Sequence, residues 1–576
     1  MLSTHRIHLF TAGFLAVFFL ATYLVPLGAR PMIRPDEFRY AEIPREMLAT
    51  NDWVTPRLND VRYFEKPALG YQMTALSFSI FGENAFALRL PSAFAVLLTA
   101  AFIYYFLLRR SRDPFLPGLA TGIYLTFGIV FGVGTFAVMD SQLTAALTLA
   151  IGSFYLASEA KRKPFILLWL LSAGFWAGCA FLVKGFLAFA VPVVVLVPFL
   201  LWQRDWRRLL LYPWLPLLVA VAVALPWSLM IHHAEPDFWR YFLVEEHWHR
   251  FTGHTYDRKP QPFWYFIPIL LGGIMPSGLL AIPGWFGVKR DWLKTPLTRL
   301  LLCWTIMPFM FFSASSCKLG TYILPCFPPL AMLLAIAVRN AMLERHKLYQ
   351  LITGKIARIF GWILVPGAVI AATGLIVWYF IPKLPQLYDG FPWWSCAGMV
   401  FAELLGIMLL RRSRVQPLKK LARLLVVIVP IIFCCLHALP TAALGDKATE
   451  VGLFNCKSLM APAPDDLIVV DRGVMAAASW ALGRTDLIVL GRPGELEYGF
   501  KNYPEYSARH YQLDEFPELL KKQHRGNVFF ITSQNPKRKP FPSDWPVPEV
   551  VTDHGVTMAK FQAERLKINT EEEYND

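Results

Sequence analysis

Charged residues are scarce in this sequence, and their scarcity excludes several classes of protein. Only 17% of the 576 residues are charged, whereas 55% are hydrophobic, which suits neither a disordered chain nor an ordinary soluble enzyme. The eight cysteines form no C-x-x-C pair, and only Cys456 lies clearly beyond the apolar runs, which excludes a disulfide-stapled miniprotein. Glycines in dinucleotide-binding spacing are also lacking, so Gly491, Gly494 and Gly499 are predicted to lie in turns. The composition indicates a polytopic membrane protein.

Long apolar runs make up most of the chain before residue 443. A membrane-spanning helix needs about 20 apolar residues, and thirteen runs approach or exceed that length, so we predict a mainly α-helical protein with about thirteen transmembrane helices. No small-x-small cleavage site follows the first run, which predicts an uncleaved helix rather than a removed signal peptide. The runs lie at 9–27, 86–108, 116–134, 141–158, 165–183, 185–202, 209–231, 263–287, 299–316, 321–338, 359–381, 394–410 and 424–443.

The basic residues sort the connections between these runs into two sets. One set carries 24 basic residues against five acidic ones, which predicts cytoplasmic loops and a cytoplasmic N-terminus. The other set comprises the loops 28–85 and 232–262, whose charges are nearly balanced, and everything after residue 443. The formal net charge of +15 is therefore a signal of membrane topology, and nucleic acid is not expected as a partner.

The last 133 residues differ in composition from the membrane part. Short β-branched runs at 466–470, 486–490 and 527–532 predict strands, and the patterns near 474–482 and 513–523 predict helices. We therefore predict a transmembrane domain over residues 1–443, including both outer loops, and a small periplasmic α/β domain over residues 444–576.

The first outer loop opens with a concentration of charged and aromatic residues. A helix starting near Asp36 would place Asp36, Arg39, Tyr40 and Ile43 on one face. Pro44 is predicted to end or kink this helix, because proline lacks a backbone donor. An interfacial helix with Asp36 as its N-terminal cap explains the same spacing equally well.

Other charged side chains lie where the membrane topology does not require them. Lys66 could extend towards the membrane surface or bind an anion. Glu65 and His247 could share a metal ion such as zinc, although solvated loop histidines are the favoured interpretation. Asp140 and Lys184 adjoin apolar runs, and we expect both to lie at the outer surface or to face a polar cavity, because a charge in the bilayer costs about 2.5 kcal/mol or more.

Six short segments between Pro35 and Pro325 carry many of these polar residues. They are Pro35-Asp-Glu-Phe-Arg-Tyr-Ala-Glu-Ile43, Tyr63-Phe-Glu-Lys-Pro67, Val183-Lys-Gly-Phe-Leu-Ala188, Glu235-Pro-Asp-Phe-Trp239, Pro262-Phe-Trp-Tyr265 and Lys318-Leu-Gly-Thr-Tyr-Ile-Leu-Pro325. In this order they resemble the bacterial aminoarabinose transferases that modify lipid A. More broadly, the chain resembles the GT-C integral-membrane glycosyltransferases, which use polyprenyl-phosphate sugars and include protein O-mannosyltransferases.

The resemblance implies both a fold and a reaction. The implied fold has thirteen transmembrane helices and a periplasmic α/β domain in the bacterial inner membrane. The implied reaction moves 4-amino-4-deoxy-L-arabinose from undecaprenyl phosphate to a lipid A phosphate at the periplasmic face, with inversion, and gives resistance to polymyxin and other cationic peptides. The expected partners are the undecaprenyl-phosphate aminoarabinose donor, the lipid A acceptor and membrane lipids.

Roles for single residues follow from the charges of these substrates. The departing undecaprenyl phosphate is a dianion, and Lys66 and Arg250 are candidates for neutralising it. Asp36 matches the acidic position usually taken as the general base, but a lipid A phosphate is already ionised. Asp36 and Asp140 are instead predicted to stabilise oxocarbenium-like charge or to hold the ammonium of the sugar. The remaining residues predicted to bind substrate are Arg39, Tyr40, Tyr63, Lys184 and Tyr322.

The sequence leaves open a bound metal ion and two alternative functions. No cofactor is required, because cationic side chains can neutralise the leaving group, but a divalent metal at Glu65 and His247 remains an option. A related transferase could act on a protein or another glycan, in which case a hydroxyl acceptor would need a general base. A lipid or solute transporter is a further alternative, although no related halves are evident.

Overall fold

The computed structural model describes residues 4–249, 260–344, 347–381, 449–522, 526–536 and 540–562, with isolated positions between 399 and 411. The chain forms two compact units, one of residues 1–29 and 89–438 and the other of residues 30–88 and 439–576. The first outer loop thus groups with the C-terminal region, whereas the prediction assigned it, as a loop outside the membrane, to the transmembrane domain 1–443. The predicted runs at 394–410 and 424–443 lie largely or wholly outside the described residues.

Apolar helices dominate the first unit. Within the described residues, seven helical segments are long and apolar enough to cross a membrane, as expected for a polytopic membrane protein. These segments are Thr4–Gly28, Ala85–Arg110, Lys163–Lys184, Trp206–Ala234, Pro296–Ala314, Gly320–Leu343 and Gly361–Phe380. Further α-helices are Leu116–Leu125, Gly128–Gly134, Asp140–Glu159, Leu187–Gln203, Phe238–Arg240, Phe266–Gly273 and Ala281–Gly284, and the last apolar segment belongs to the helix Lys347–Phe380.

Two predicted spans are interrupted rather than continuous. The run 116–134 breaks between two short helices, and the run 263–287 divides into several short α and 3-10 pieces. The two breaks meet, because the backbone N–H of Gly128 donates to the carbonyl of Met275 at 2.7 Å. Backbone that leaves a helix at membrane depth needs partners within the protein, and this pairing supplies one.

The helix Lys163–Lys184 packs between its neighbours Asp140–Glu159 and Trp214–Ala234. Gly174 and Gly178 lie four residues apart on it, and small residues at this spacing allow close approach of membrane helices. A Cβ on Gly174 would lie 2.5 Å from the Pro216 carbonyl oxygen, and one on Gly178 would lie 2.7 Å from the Val223 Cβ. The contact therefore depends on the absence of side chains at both positions.

Gly174→Ala is expected to lower the unfolding free energy by about 1–3 kcal/mol, because backbone on the facing helix must shift. The melting temperature of the detergent-solubilised protein measures this loss. Gly374→Ala is the matched control, since no atom lies within 4 Å of a Cβ at that helical position. Equal melting temperatures for the two variants would contradict the close-packing explanation.

The second unit combines helices from the first outer loop with the C-terminal region. A two-stranded hairpin, β1 (Arg57–Leu58) and β2 (Val61–Arg62), lies between the two loop helices. Positive φ values at its turn residues, 55° at Asn59 and 57° at Asp60, suit a two-residue hairpin. The α-helices of this unit are Asp36–Thr50, Leu69–Phe81, Thr449–Met460, Met475–Leu482, Glu497–Asn502 and Phe516–Lys522.

The C-terminal region folds around a mixed six-stranded sheet. Its strands are β3 (Leu467–Val470), β4 (Ile488–Leu490), β5 (His510–Tyr511), β6 (Val528–Thr532), β7 (Glu549–Asp553) and β8 (Val556–Phe561). The order is β5-β4-β3-β6-β8-β7, parallel from β5 to β6 and antiparallel across β8 and β7. Val469, Phe516, Phe530, Trp545 and Phe561 pack together in its core.

The structure confirms the three predicted strands within two residues and both predicted C-terminal helices. Gly491 lies in a bend with positive φ, and Gly494 has positive φ at the start of the 3-10 helix Gly494–Leu496. Gly499 lies instead in the helix Glu497–Asn502, so its assignment to a turn is wrong. A Cβ there would lie 2.4 Å from the Val61 side chain, which explains why glycine occupies a helical position against the hairpin.

Candidate active site

The helix Asp36–Thr50 presents the first group of predicted site residues. Two acidic residues, Asp36 and Glu37, lie in its first turn, where carboxylates complement the helix dipole. Pro35 is the cap residue and no side chain caps the helix, so the alternative with Asp36 as the cap is wrong. The helix does not end at Pro44 but continues to Thr50.

A buried carboxylate on this helix holds the hairpin that carries the next site residues. Both oxygens of Glu46 accept backbone N–H groups of the turn, from Asn59 at 2.6 Å and from Asp60 at 2.8 Å. The Tyr63 backbone N–H donates to the Pro56 carbonyl at 2.9 Å. These bonds set the path of the chain from the hairpin to Tyr63.

Arg39 forms the centre of the first cluster. One terminal nitrogen of its guanidinium donates to Asp36, and the other donates to Glu495 and, at 3.3 Å, to the Tyr63 hydroxyl. The Tyr63 hydroxyl in turn donates to Glu495 at 3.3 Å. We call Asp36, Arg39, Tyr63 and Glu495 the Arg39 cluster.

Lys66 lies beside this cluster and contacts a second tyrosine. Its ammonium donates to the Tyr40 hydroxyl at 2.6 Å, and the Arg39 guanidinium lies 5.7 Å from the centroid of the Tyr40 ring. The structure thus brings five predicted residues together in the second unit: Asp36, Arg39, Tyr40, Tyr63 and Lys66.

Burial sets the protonation of the phenol in the Arg39 cluster. Desolvation raises the pKa of Tyr63 well above its ordinary value, and the negative charges of Glu495 and Glu65 raise it further. The Tyr63 hydroxyl is therefore protonated at neutral pH and serves as a donor to Glu495.

A second cluster lies in the first unit. Asp140 begins the helix Asp140–Glu159, and Lys184 ends the helix Lys163–Lys184. The Lys184 ammonium donates to the Asp140 carboxylate at 2.5 Å and lies 4.9 Å from the centroid of the Tyr322 ring. Three more predicted residues are thereby brought together, and the charges of Asp140 and Lys184 satisfy each other.

The described side chains include only one of the two predicted metal ligands. Glu65 is buried, whereas the side chain of His247 and all of Arg250 lie outside the described part of the chain. Within that part, no three His, Cys, Asp or Glu residues are grouped so that they could hold a metal ion. Zinc binding by Glu65 and His247 stays a prediction.

Sequence reasoning missed Glu495. This residue lies more than 450 positions after Arg39, and the prediction for its segment concerned only the turn glycines. The sequence around Glu495 gives only a weak indication of a site. Gly494, with a φ of 60°, begins the 3-10 helix Gly494–Leu496. A single glutamate after such a glycine does not indicate a site by itself.

Comparison with known families shows which proteins share these features. Residues 8–242 match the family described as dolichyl-phosphate-mannose-protein mannosyltransferase. Residues 458–560 match the family described as arabinosyl transferase ArnT, C-terminal domain. The two matches cover the segments that contribute Arg39 and Glu495.

Individual relatives match nearly the whole chain. Those from Shewanella sediminis and Aeromonas salmonicida, each named undecaprenyl phosphate-alpha-4-amino-4-deoxy-L-arabinose arabinosyl transferase, are 34% and 35% identical over 510 and 563 residues. The alignments cover 88% and 96% of this chain and 90% and 99% of the relatives. The crystal structure of ArnT from Cupriavidus metallidurans bound to undecaprenyl phosphate is similar with a TM-score of 0.72 at 25% identity, over 95% of this chain and 98% of that one.

Proposed function

Because the chain belongs to the undecaprenyl phosphate-4-amino-4-deoxy-L-arabinose arabinosyl transferase family, we propose that it transfers this aminosugar from undecaprenyl phosphate to a phosphate of lipid A. The observation that carries the proposal is the pairing of carboxylates with cations at Asp36–Arg39 and at Asp140–Lys184. Such pairs suit a reaction in which a cationic sugar moves between two phosphates. The product would carry an added positive charge and give resistance to polymyxin and other cationic peptides.

The reaction is a single displacement with inversion. An oxygen of the lipid A phosphate forms a bond to the anomeric carbon, while the bond from that carbon to the undecaprenyl phosphate oxygen breaks. The electron pair of that bond leaves with undecaprenyl phosphate. Lys66 and Arg250 neutralise this leaving group, and Arg39, Tyr63 and Tyr322 orient the two headgroups. Preorganised charge of this kind is often the largest single contribution to catalysis.

The two aspartates act on the sugar rather than on the acceptor. A lipid A phosphate is ionised near neutral pH, so no proton has to be removed before it attacks. Asp36 and Asp140 stabilise the positive charge that develops on the sugar ring or hold the ammonium of the sugar. A general base would be required only if the acceptor were a hydroxyl group.

We also propose the number of membrane spans and the orientation of the chain, from the distribution of basic residues. The connections predicted to be cytoplasmic carry 24 basic residues against five acidic ones, which favours thirteen spans with a cytoplasmic N-terminus. Residues 1–443 would then supply all the membrane spans, and residues 444–576 a periplasmic α/β domain. Protease accessibility of residues 444–576 in inverted and right-side-out inner-membrane vesicles tests this orientation.

Zinc at Glu65 and His247 is proposed only as an option. Purified protein that keeps full activity after exhaustive chelation, and in which elemental analysis finds no metal, would remove it. Stoichiometric zinc that is lost from His247→Ala would support it.

Mass spectrometry of lipid A tests the proposed function most directly. Cells expressing this chain are expected to carry lipid A heavier by one aminopentose per modified phosphate, and cells lacking it are not. Unchanged lipid A under expressing conditions would contradict the proposal and favour a related transferase with a protein or glycan acceptor. Lipid movement across reconstituted vesicles without sugar transfer would favour a transporter.

Lys66→Ala is expected to raise the KM for the undecaprenyl-linked donor by about tenfold or more, because one charged contact to the phosphate is lost. Arg250→Ala is expected to act in the same direction. Initial rates at varied donor concentration measure the change. Lys501→Ala, at an exposed position of the same unit, is the control, and donor kinetics unchanged in both test variants would remove them from the site.

A further inference from the structure

Lys318 is a buried cation in the first unit. It follows the helix Pro296–Ala314 and precedes the 3-10 helix Gly320–Cys326, and it is only 7% exposed. Its ammonium donates to the backbone carbonyl of Gln261 at 2.9 Å and to that of Ser315. A lysine ammonium has three N–H donors, so one donor remains after these two bonds.

The charge of Lys318 is not compensated in the way that the charge of Lys184 is. Within the described part of the chain, Lys318 bonds to backbone carbonyls rather than to a carboxylate, whereas Lys184 donates to Asp140 at 2.5 Å. Desolvation by burial lowers the pKa of Lys318 below its ordinary value, the direction expected for a buried cation. Buried charges are normally paired with opposite charges, and an anionic ligand would supply the pair.

The bonds to the two carbonyls do not by themselves require a positive charge. The Gln261 backbone N–H already donates to the Ser316 carbonyl at 3.1 Å, which ties the two chain segments together. An uncharged donor, such as a glutamine amide, could add bonds to carbonyls at a lower desolvation cost. The fold therefore explains the hydrogen bonds of Lys318 but not its charge.

Lys318 lies on the same short segment as Tyr322, a member of the second cluster. The Tyr322 backbone N–H donates to the Leu319 carbonyl at 3.0 Å, which closes a 3-10 turn. The Cα atoms of Lys318 and Tyr322 are therefore at most about 10 Å apart. Because the Lys184 ammonium lies 4.9 Å from the centroid of the Tyr322 ring, Lys318 adds a positive charge in the neighbourhood of the second cluster.

We propose that Lys318 binds the acceptor phosphate of lipid A. This inference rests on the proposed function and deepens it, because it gives the acceptor a cation of its own. The reaction brings two phosphates to one carbon atom, and like charges at close range repel each other unless cations neutralise them. Lys66 and Arg250 are assigned to the donor phosphate, and Lys184 is neutralised by Asp140.

A single remaining donor suits an acceptor that must also act as a nucleophile. A phosphate monoester has three terminal oxygens, so Lys318 can bind one of them while another attacks the anomeric carbon. An arginine would bind two oxygens at once with its planar fork. The point charge of a lysine therefore holds the acceptor and leaves its attacking oxygen free.

Lys318→Met is expected to raise the KM for lipid A about tenfold and to leave the KM for the undecaprenyl-linked donor unchanged, because one charge-assisted bond to the acceptor is lost. Initial rates of the full-length protein reconstituted in lipid, with each substrate varied in turn, measure both constants. Lys318→Arg keeps the charge and is expected to keep most of the acceptor affinity. Lys294→Met is the matched control, since Lys294 lies in the same unit but is 78% exposed, and it is expected to change neither constant.

Equilibrium binding tests the same contact without turnover. The wild-type protein is expected to bind lipid A that carries its phosphates more tightly than dephosphorylated lipid A, and Lys318→Met is expected to lose most of this difference. Melting temperatures in detergent establish that the variants are folded. If Lys318→Met fails to fold, Lys318→Gln, which keeps N–H donors but loses the charge, takes its place.

The results distinguish the inference from the proposed function. A raised KM for the donor alone, or equal rises for both substrates, would overturn the assignment of Lys318 to the acceptor. A lower kcat with both KM values unchanged would mean that Lys318 only holds the turn, and would overturn it too, as would equal binding of both forms of lipid A by the wild-type protein. Absence of transfer by the wild-type protein would overturn the proposed function, while the binding measurement would still decide whether Lys318 holds a lipid phosphate.

Discussion

Replacing Asp36 by asparagine is expected to lower the rate of aminoarabinose transfer by about 10²–10³-fold, a loss typical of removing one preorganised electrostatic contact. Asparagine keeps an oxygen that can accept from Arg39 but loses the negative charge that stabilises the sugar in the transition state. Because the Asp36 side chain is 43% exposed, the protein is expected to remain folded. Single-turnover transfer from the undecaprenyl-linked donor measures the loss.

A second carboxylate on the same loop controls for a general charge effect. Asp60 pairs with Arg509 at 3.5 Å and is 52% exposed, so Asp60→Asn is expected to keep near wild-type activity. More than a tenth of the wild-type rate in Asp36→Asn would contradict a catalytic role.

A solvent isotope effect separates the two roles considered for Asp36. Both roles require a negatively charged carboxylate, so both predict the same pH profile. A general base removes a proton from a hydroxyl acceptor in the transition state, so it predicts slower transfer in heavy water. Transfer to a phosphate acceptor moves no such proton, and an equally large isotope effect with phosphate acceptors would undermine the electrostatic role.

Lys184→Met is expected to destabilise the membrane part by about 3–5 kcal/mol, the range found when one partner of a buried ion pair is removed. The Lys184 and Asp140 side chains are only 11% and 10% exposed, so Asp140 would be left with an uncompensated charge. The double variant Lys184→Met, Asp140→Leu is expected to recover much of this loss, because it removes both charges. Both variants are expected to be inactive, since the second cluster is lost.

Melting temperatures of the single and double variants in detergent provide the measurement. Lys294→Met is the control: Lys294 also pairs with an aspartate, Asp291, but the two side chains are 78% and 76% exposed. Exposed pairs contribute about 1 kcal/mol or less. A double variant no more stable than Lys184→Met would contradict the account of a buried, mutually satisfied pair.

The membrane helices could be predicted because their signal is local. A run of about 20 apolar residues between charged loops is sufficient for a span, and the runs at 86–108 and 165–183 correspond to continuous helices in the structure. The runs 116–134 and 263–287 did not reveal that they are interrupted. Their breaks are stabilised by a bond between them, at Gly128 and Met275, and pairing between distant segments leaves no trace in apolar periodicity.

In the C-terminal region, too, strands that depend on pairing with distant segments could not be predicted from the sequence. The predicted strands β3, β4 and β6 are short apolar runs in the buried part of the sheet. β5 has two residues and β7 is largely exposed, so neither has a hydrophobic pattern that could be recognised. Their places depend on pairing with β4 and β8, which only the folded sheet provides.

The sequence by itself determined the class of protein and the convergence of Asp36, Arg39 and Tyr40 on one helix. These features depend on composition and on spacing along a single helix. Only the tertiary structure decided that the first outer loop folds together with the C-terminal region and that Glu495 joins Arg39 and Tyr63. The reason is physical: Arg39 is buried, so its charge requires carboxylate partners, and sequence spacing does not show which distant carboxylate supplies one.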